Sequence, residues 1–355
     1  MQTQIISPVR DADIAHAAQM IRDGALVAFP TETVYGLGAN GLDAAACARI
    51  YAAKGRPSDN PLILHIADLS MVADAARTVT PAAAHLLTAF APGPITVILP
   101  KAAHVPDIVT GGLSTVGVRC PDHDIARALI RAAGVPVAAP SANTSGRPSP
   151  TTAAMVADDL AGRIPCILDG GACRWGVEST IVDCTEDGIV TVLRPGAVTR
   201  EMIAAELPQM EVRVDPALTA ADAVPRAPGM KYRHYAPRAP LTVYTGAPDA
   251  VTAVLRAEIL RRRAEGTQVG LIASRETCAA LTGLISPAYV YACGARGDHA
   301  AYANCLYDAL RRFDNTDAGA LLAEGTDEHG LGLAVMNRLR KASGGNIIIV
   351  GEYVS

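Results

Sequence analysis

Residues 25–43 read ALVAFPTETVYGLGANGLD, and this stretch decides between two kinds of α/β fold. Ala25 to Phe29 is a short apolar run closed by Pro30, the pattern of a buried strand. Gly36, Gly38 and Gly41 then fall at the spacing G-x-G-x-x-G. A dinucleotide fingerprint needs those glycines directly after the strand, with a helix opening inside them. Here Thr31 to Tyr35 intervene, and the first helix cap, Asp43, comes only after the last glycine. No acid at a strand end sits at the expected offset, and no G-x-x-x-x-G-K-[ST] loop occurs. A nucleotide held here is held without either device. What remains is a polar segment at the point where a strand leaves its sheet. Thr31, Thr33 and Tyr35 alternate, so their hydroxyls share one side of an extended chain. Open α/β sheets bind ligands at such strand ends.

Outward from this stretch, strand and helix signals alternate. Asp11–Arg22 has helical periodicity (Ile14, Ala17, Ala18, Ile21) and stops at Gly24. Asp43 caps a small-residue helix to Ala53, and Thr80-Pro81 opens another through Phe90. Asp122–Ala133 and Thr151–Leu160 are further helices. Leu62–Ile66, Ile95–Leu99, Thr115–Arg119, Val135–Ala139, Cys166–Leu168, Thr180–Asp183 and Val190–Leu193 read as strands. Helices mixed with hairpin-like strand pairs predict a twisted mixed open sheet rather than a pure βαβ relay.

Ala223 to Arg238 breaks the alternation. Its three prolines and one glycine exclude a regular element, and its four cations and one histidine stand with no acid among them. A second alternation follows. Strands are expected at Leu241–Tyr244, Val269–Ala273 and Tyr289–Tyr291, and helices at Asp249–Glu265, His299–Phe313 and Leu333–Ala342, as in a small doubly wound, Rossmann-like domain. The expected division is therefore residues 1–208, a linker at 209–238, and 239–355.

With 355 residues, half of them apolar, the chain has material for two cores. A net charge of −4 gives no global field for nucleic acid, so any anion site is local. The eight cysteines form no C-x-x-C pair and no zinc spacing, which fits reduced thiols in a cytoplasmic protein. The N-terminus has no basic segment followed by an apolar core, and no apolar run is long enough to span a bilayer.

Two further stretches carry chemistry. Lys54-Gly-Arg56-Pro-Ser-Asp-Asn60-Pro61 places two cations one residue apart in a Gly/Pro-broken loop. Such heads converge without repulsion only around an anion, the guanidinium as a fork and the ammonium as a point charge. Pro140 to Pro150 follows a strand and precedes a helix, and offers Ser141, Asn143, Thr144, Ser145, Arg147 and Ser149. Small hydroxyls, an amide and an arginine near a helix N-terminus suit phosphate. Arg119 ends a strand, Glu178-Ser-Thr180 opens one and Arg194-Pro-Gly196 ends another. The set suits a polyanion such as ATP and needs no evident general base if the substrate brings its own nucleophile.

In combination, Pro30–Gly38, Lys54-x-Arg56, Ser141-x-Asn143, Glu178-Ser-Thr180 and Arg194-Pro-Gly196 resemble the YrdC-like threonylcarbamoyl-AMP synthases. Pro228–Pro237 and Gly330–Leu339 resemble the linker and the end of the extra C-terminal domain of the family's long form. The resemblance implies an L-threonylcarbamoyladenylate synthase, a nucleotidyltransferase that joins L-threonine, bicarbonate and ATP with release of pyrophosphate. The product serves tRNA threonylcarbamoyladenosine modification through a downstream transferase, with contact to tRNA itself as a further expectation. It implies catalytic roles for Lys54, Arg56, Ser141 and Asn143. ATP would meet Arg56, Asn60, Thr115, Ser141, Ser149, Arg194 and Tyr235. L-threonine would meet Thr33, His65, Arg119, Ala139 and Ser179. Mg2+ would arrive with ATP rather than on a dedicated set of side chains. The linker, with Tyr235, would close over the site as a lid. Two other classes compete. An RNA-binding or ribosome-associated module would use the cationic cleft without turnover, and the acidic balance speaks against it. A carbamoyl-adenylate enzyme with another carbamoyl source, as in related hydrogenase-maturation proteins, would bring acylphosphatase and zinc-finger segments that this sequence lacks.

Overall fold

The computed structural model describes residues 2–218 and 235–351. They form two units: residues 2–145 with 149–218, and residues 146–148 with 235–351.

The first unit runs β1 (Gln4–Ile6), α1 (Asp11–Arg22), β2 (Val27–Phe29), β3 (Gly36–Asn40), α2 (Ala44–Lys54), β4 (Ile63–His65), α3 (Val72–Ala75), α4 (Pro81–Phe90), β5 (Ile95–Pro100), α5 (Asp107–Thr110), β6 (Thr115–Arg119), α6 (Asp124–Ala133), β7 (Val137–Ala138), α7 (Ala153–Leu160), β8 (Cys166–Leu168), β9 (Thr180–Asp183), β10 (Ile189–Arg194), α8 (Arg200–Glu206) and β11 (Glu211–Val214). Its strands build one mixed sheet in the order β1-β8-β2-β3-β7-β4-β6-β5-β9-β10-β11. The expected mixed sheet is what the chain forms. The last strand, β11, lies inside the span expected as linker and pairs in parallel with β10. Most of the remaining linker span, 219–234, and with it most of the expected lid, lies outside the described residues.

The two faces of this sheet follow from period-2 alternation. Val27 and Phe29 pack in the layer that holds Ala17, Ala18 and Ile21 of α1 with Leu129 and Ile130 of α6. Ala28, between them, belongs to the opposite layer with Cys47 and Ile50 of α2. Cys166 and Leu168 divide from Ile167 in the same way.

Sequence reasoning passed over β3, whose GLGAN has poor strand propensity. Its glycines have a packing reason. A Cβ at Gly38 would stand 2.8 Å from both Phe29 and Val137 side chains, and one at Gly41 would stand 2.7 Å from the Pro136 carbonyl oxygen. The apparent nucleotide fingerprint is thus the channel through which Phe29 crosses its antiparallel neighbour.

The second unit runs β12 (Leu241–Gly246), α9 (Pro248–Ala264), β13 (Val269–Ala273), α10 (Arg275–Ala280), β14 (Val290–Ala292), α11 (His299–Phe313), β15 (Ala320–Glu324), α12 (Gly332–Ala342) and β16 (Ile347–Val350). All its strands are parallel, in the order β14-β13-β15-β12-β16. This is the expected doubly wound arrangement. From β13 the chain moves by α10 to one edge, and from β15 by α12 to the other. Neighbouring strands whose connections diverge leave a crevice at their carboxyl ends.

Gly38→Ala is expected to lower stability by about 1–3 kcal/mol, because the added methyl meets two packed side chains with no room to retreat. Urea unfolding of the variant checks this. An unchanged midpoint would show that Phe29 does not need the gap.

Candidate active site

Helix α2 delivers the first cation. Asp43 caps its start by accepting from the backbone N–H of Ala45 and Ala46. Gly55 ends it in the left-handed region (φ 62°), and the Arg56 N–H closes back on the Tyr51 carbonyl. The chain therefore turns between the two cations. Lys54 stays on the last helical turn and is 1% exposed. Its Nζ donates to the main-chain carbonyls of Ser141 and of Asn143, the latter at 2.5 Å. Ser141 Oγ donates to Asn143 Oδ1 at 2.5 Å, and Asn143 Nδ2 donates to the Thr144 carbonyl. Arg56 donates instead to the carbonyls of Asn60 and Pro61 at 3.0–3.3 Å.

A second group surrounds Arg119 at the end of β6. Its NH2 lies 2.7 Å from a Glu32 carboxylate oxygen and 2.9 Å from Thr33 Oγ1, with both charged side chains almost wholly buried. Glu32 and Arg119 thus form a buried ion pair. Both Glu32 carboxylate oxygens and Arg119 Nε are buried without a hydrogen-bond partner, as is Asn60 Oδ1 in the separate loop beside Arg56. Buried polar atoms are ordinarily satisfied, so such a concentration marks a place built for a ligand. Thr33 Oγ1 is also 2.9 Å from Thr31 Oγ1, which donates to the Val34 carbonyl.

A third group joins β5, β9 and β10. Ser179 Oγ lies 2.8 Å from Thr96 Oγ1 and accepts from Arg194 NH2 at 3.1 Å, while Arg194 Nε donates to the Ser179 carbonyl. Ser149 Oγ donates to Glu178 Oε1 at 2.6 Å. Gly196 lets these strands meet, since a Cβ there would stand 2.5 Å from the Thr180 nitrogen and 2.7 Å from the Glu178 oxygen. That close approach ties Glu178-Ser-Thr180 to Arg194-Pro-Gly196.

The main chain links the groups. Gly36 and Ser141 form an isolated bridge, Ala142 N–H donates to the Tyr35 carbonyl, and Ser145 N–H donates to the Lys54 carbonyl. His65 on β4 is in register with Arg119 on β6, and Ala139 N–H donates to the Ile63 carbonyl. His65 is buried, with its ring edge-on to Phe29. Burial, and then the positive charges of Arg119 and Arg194, push its pKa down to about 3. In the neutral ring Nδ1–H donates to the Ile63 carbonyl at 3.2 Å, which leaves Nε2 as an acceptor.

Lys54, Ser141 and Asn143 thus come together, as do Thr33 and Arg119, and Ser179 and Arg194, with His65 beside both arginines. Thr115 opens β6 opposite Pro100 and makes no side-chain hydrogen bond to a described residue. Tyr235 belongs to the second unit, where it is buried at φ 63° with its ring stacked 5.1 Å from that of Tyr307. Sequence reasoning missed Glu32 and Thr96. Glu32 was visible as the lone acid in a hydroxyl-rich segment, but nothing local pairs it with a residue 87 positions away. Among the described residues no group of three or more His, Cys, Asp or Glu is placed to hold a metal ion, and no helix is long and apolar enough to cross a membrane.

Comparison with known proteins gives a consistent set. The family model described as "Telomere recombination", for Sua5, YciO and YrdC sequences, matches residues 19–196. The model described as "Threonylcarbamoyl-AMP synthase, C-terminal domain" matches residues 198–344. The threonylcarbamoyl-AMP synthase of Bacillus subtilis is 47% identical, over 95% of this chain and 95% of its own length. That of Pyrococcus abyssi is 48% identical, over 96% and 97%. The crystal structure of P. abyssi Sua5 complexed with L-threonine superposes with a TM-score of 0.91 at 47% identity, covering 98% of this chain and 100% of that one.

The depressed pKa of His65 makes stability depend on pH. The unfolded imidazole takes up a proton below about pH 6.5 while the folded one stays neutral down to about 3, so this contribution is whole above 6.5 and is lost as pH falls through that window. Between pH 7 and 5 the loss amounts to about 2 kcal/mol. Urea unfolding at both values is expected to show it, and His65→Gln is expected to remove that increment. An equal loss in the variant would assign the effect to other groups.

Proposed function

The chain belongs to the threonylcarbamoyl-AMP synthase family, and from that membership we propose that it is a nucleotidyltransferase forming threonylcarbamoyl-AMP and pyrophosphate from L-threonine, bicarbonate and ATP. The bonds balance as follows. The threonine ammonium gives up a proton, and its nitrogen forms a C–N bond to the carbon of bicarbonate with loss of water. A carbamate oxygen then forms a bond to the α-phosphorus, and the α–β anhydride breaks with the electron pair leaving on pyrophosphate.

The observation that carries this reading is Arg119, a buried guanidinium whose NH2 meets Glu32 and Thr33 and lies beside a neutral imidazole, while its Nε has no hydrogen-bond partner. A substrate carboxylate would satisfy that nitrogen while Glu32 keeps NH2, and with the His65 ring neutral the guanidinium is its cation. Thr33, Ala139 and Ser179 would complete the pocket for an amino acid with a hydroxyl. On the nucleotide side we assign Lys54, Arg56, Ser141 and Asn143 to the phosphates and the carbamate, with Asn60, Thr115, Ser149 and Arg194 along ATP. Lys54 is already gripped by two carbonyls, so its charge is fixed in place before substrate arrives. Positioning and charge neutralisation of this kind supply most of the catalysis in phosphoryl chemistry. The donor set suits Mg2+ carried by ATP, held mainly by phosphate and water, where it would lower the charge on the triphosphate. The product is then the substrate of a transferase that modifies tRNA.

Pyrophosphate release from ATP with bicarbonate is expected to require L-threonine, and release indifferent to threonine would overturn the substrate assignment. Lys54→Met keeps the buried stem but removes the charge, and kcat is expected to fall about 100-fold or more. Arg119→Gln is expected to raise KM for L-threonine about tenfold or more while KM for ATP changes little. Normal kinetics in either folded variant would remove that residue from its assigned role.

A further inference from the structure

The crevice predicted by the diverging connections of β13 and β15 exists, and nothing in the synthase reading uses it. It is a cavity of about 160 Å3 in the second unit, lined by residues from the carboxyl ends of β12, β13, β14 and β15 and the starts of α9 and α11. Its size sets the ligand. A cavity of about 150 Å3 takes a molecule the size of benzene, so the side chain and charged groups of an amino acid fit here.

Its charge sets the chemistry. Glu324, at the end of β15, is 6% exposed. One of its oxygens accepts from the N–H and the hydroxyl of Ser274 at 2.8 and 2.7 Å, and the other faces Arg296 Nε at 3.4 Å. Arg296 NH2 donates to Thr277 Oγ1 at 2.9 Å, which orients the guanidinium. Its other terminal nitrogen, NH1, makes no hydrogen bond to a described residue. Asp327 stands 3.1 Å from His299 Nε2, and Asp298 caps α11. Carboxylates therefore outnumber permanent cations around the cavity, which favours a ligand carrying a positive centre. Arg296 and the start of α9, whose N-cap is Ala247 and offers no side-chain cap, favour a negative one at the same time. A polyphosphate would meet three acids against one arginine and is disfavoured.

We propose that this crevice binds a small zwitterion of α-amino-acid size, its carboxylate on Arg296 and its ammonium on the Asp327–Glu324 side. This is a second amino-acid site, in the unit that lacks the catalytic groups, and it stands or falls apart from the synthase reading. An amino acid bound here would act as a signal and not as a reactant.

The test is isothermal titration of the full chain carrying Arg119→Gln, which weakens the amino-acid pocket of the first unit, so that binding assigned to the crevice is the part lost with Arg296 or Asp327. The probes are glycine, L-alanine, L-valine and L-threonine, with isobutylamine and isovalerate as the single-charge counterparts of valine. Saturable binding of at least one amino acid is expected, with neither single-charge probe binding comparably. Adding Arg296→Ala or Asp327→Asn, both partly exposed positions, is expected to weaken it about tenfold or more while thermal unfolding stays unchanged. No saturable binding by any amino acid, equal binding of a single-charge probe, or binding indifferent to Arg296→Ala would each overturn the proposal.

Discussion

An ammonium held out of water by main-chain carbonyls is the constraint on which the first unit's site depends. Burying Lys54 costs several kcal/mol unless its protons are taken up, and the carbonyls of Ser141 and Asn143 take them. These residues are 87 and 89 positions away in sequence. The contact therefore does two things at once. It fixes a positive charge at a set point, and it clamps the 140–145 loop to the end of α2, where the Ser145 N–H returns to the Lys54 carbonyl. A surface lysine could do neither, because its entropy and hydration would leave both charge and loop undetermined.

The same logic of distant segments joined by satisfied polar groups runs through the rest of the site. Arg194 holds Ser179 by both its carbonyl and its hydroxyl, and Thr96 reaches the same hydroxyl from β5. Ser149 meets Glu178. Arg119 and Glu32 form the part that is under-satisfied, with buried atoms that lack hydrogen-bond partners. Rigid scaffolding on one side and unmet hydrogen-bonding capacity on the other is the arrangement expected of a pocket that waits for a charged guest.

How much of this could be read from the chain depended on whether the signal was local. Helix α1 was legible from periodicity, and α2 and α4 from Asp43 and Thr80, because those cap residues sit within a few positions of the turn they satisfy. Strand β3 was not, since its glycines answer to Phe29 across the sheet rather than to strand propensity. Strand β15 was missed because Ala-Leu-Leu-Ala-Glu favours a helix, and only burial between β13 and β12 makes it a strand. Lys54, Arg56, Ser141 and Asn143 stood out because cations and small hydroxyls crowd around breaker residues. Glu32 did not, because a carboxylate's importance here lies in which guanidinium it faces. The second unit's crevice was invisible for the same reason: Ser274, Arg296 and Glu324 come from three separate connections, and only the strand order brings them to one edge.

The neutral ring of His65 has a consequence for proton traffic. Forming a carbamate from an ammonium and bicarbonate liberates one hydrogen ion, and something must carry it off. An imidazole with a pKa near 3 holds a proton in only about one molecule in ten thousand at neutrality, so it is a poor sink. The burden therefore falls on groups other than this ring, whose part beside the guanidiniums is that of an uncharged acceptor.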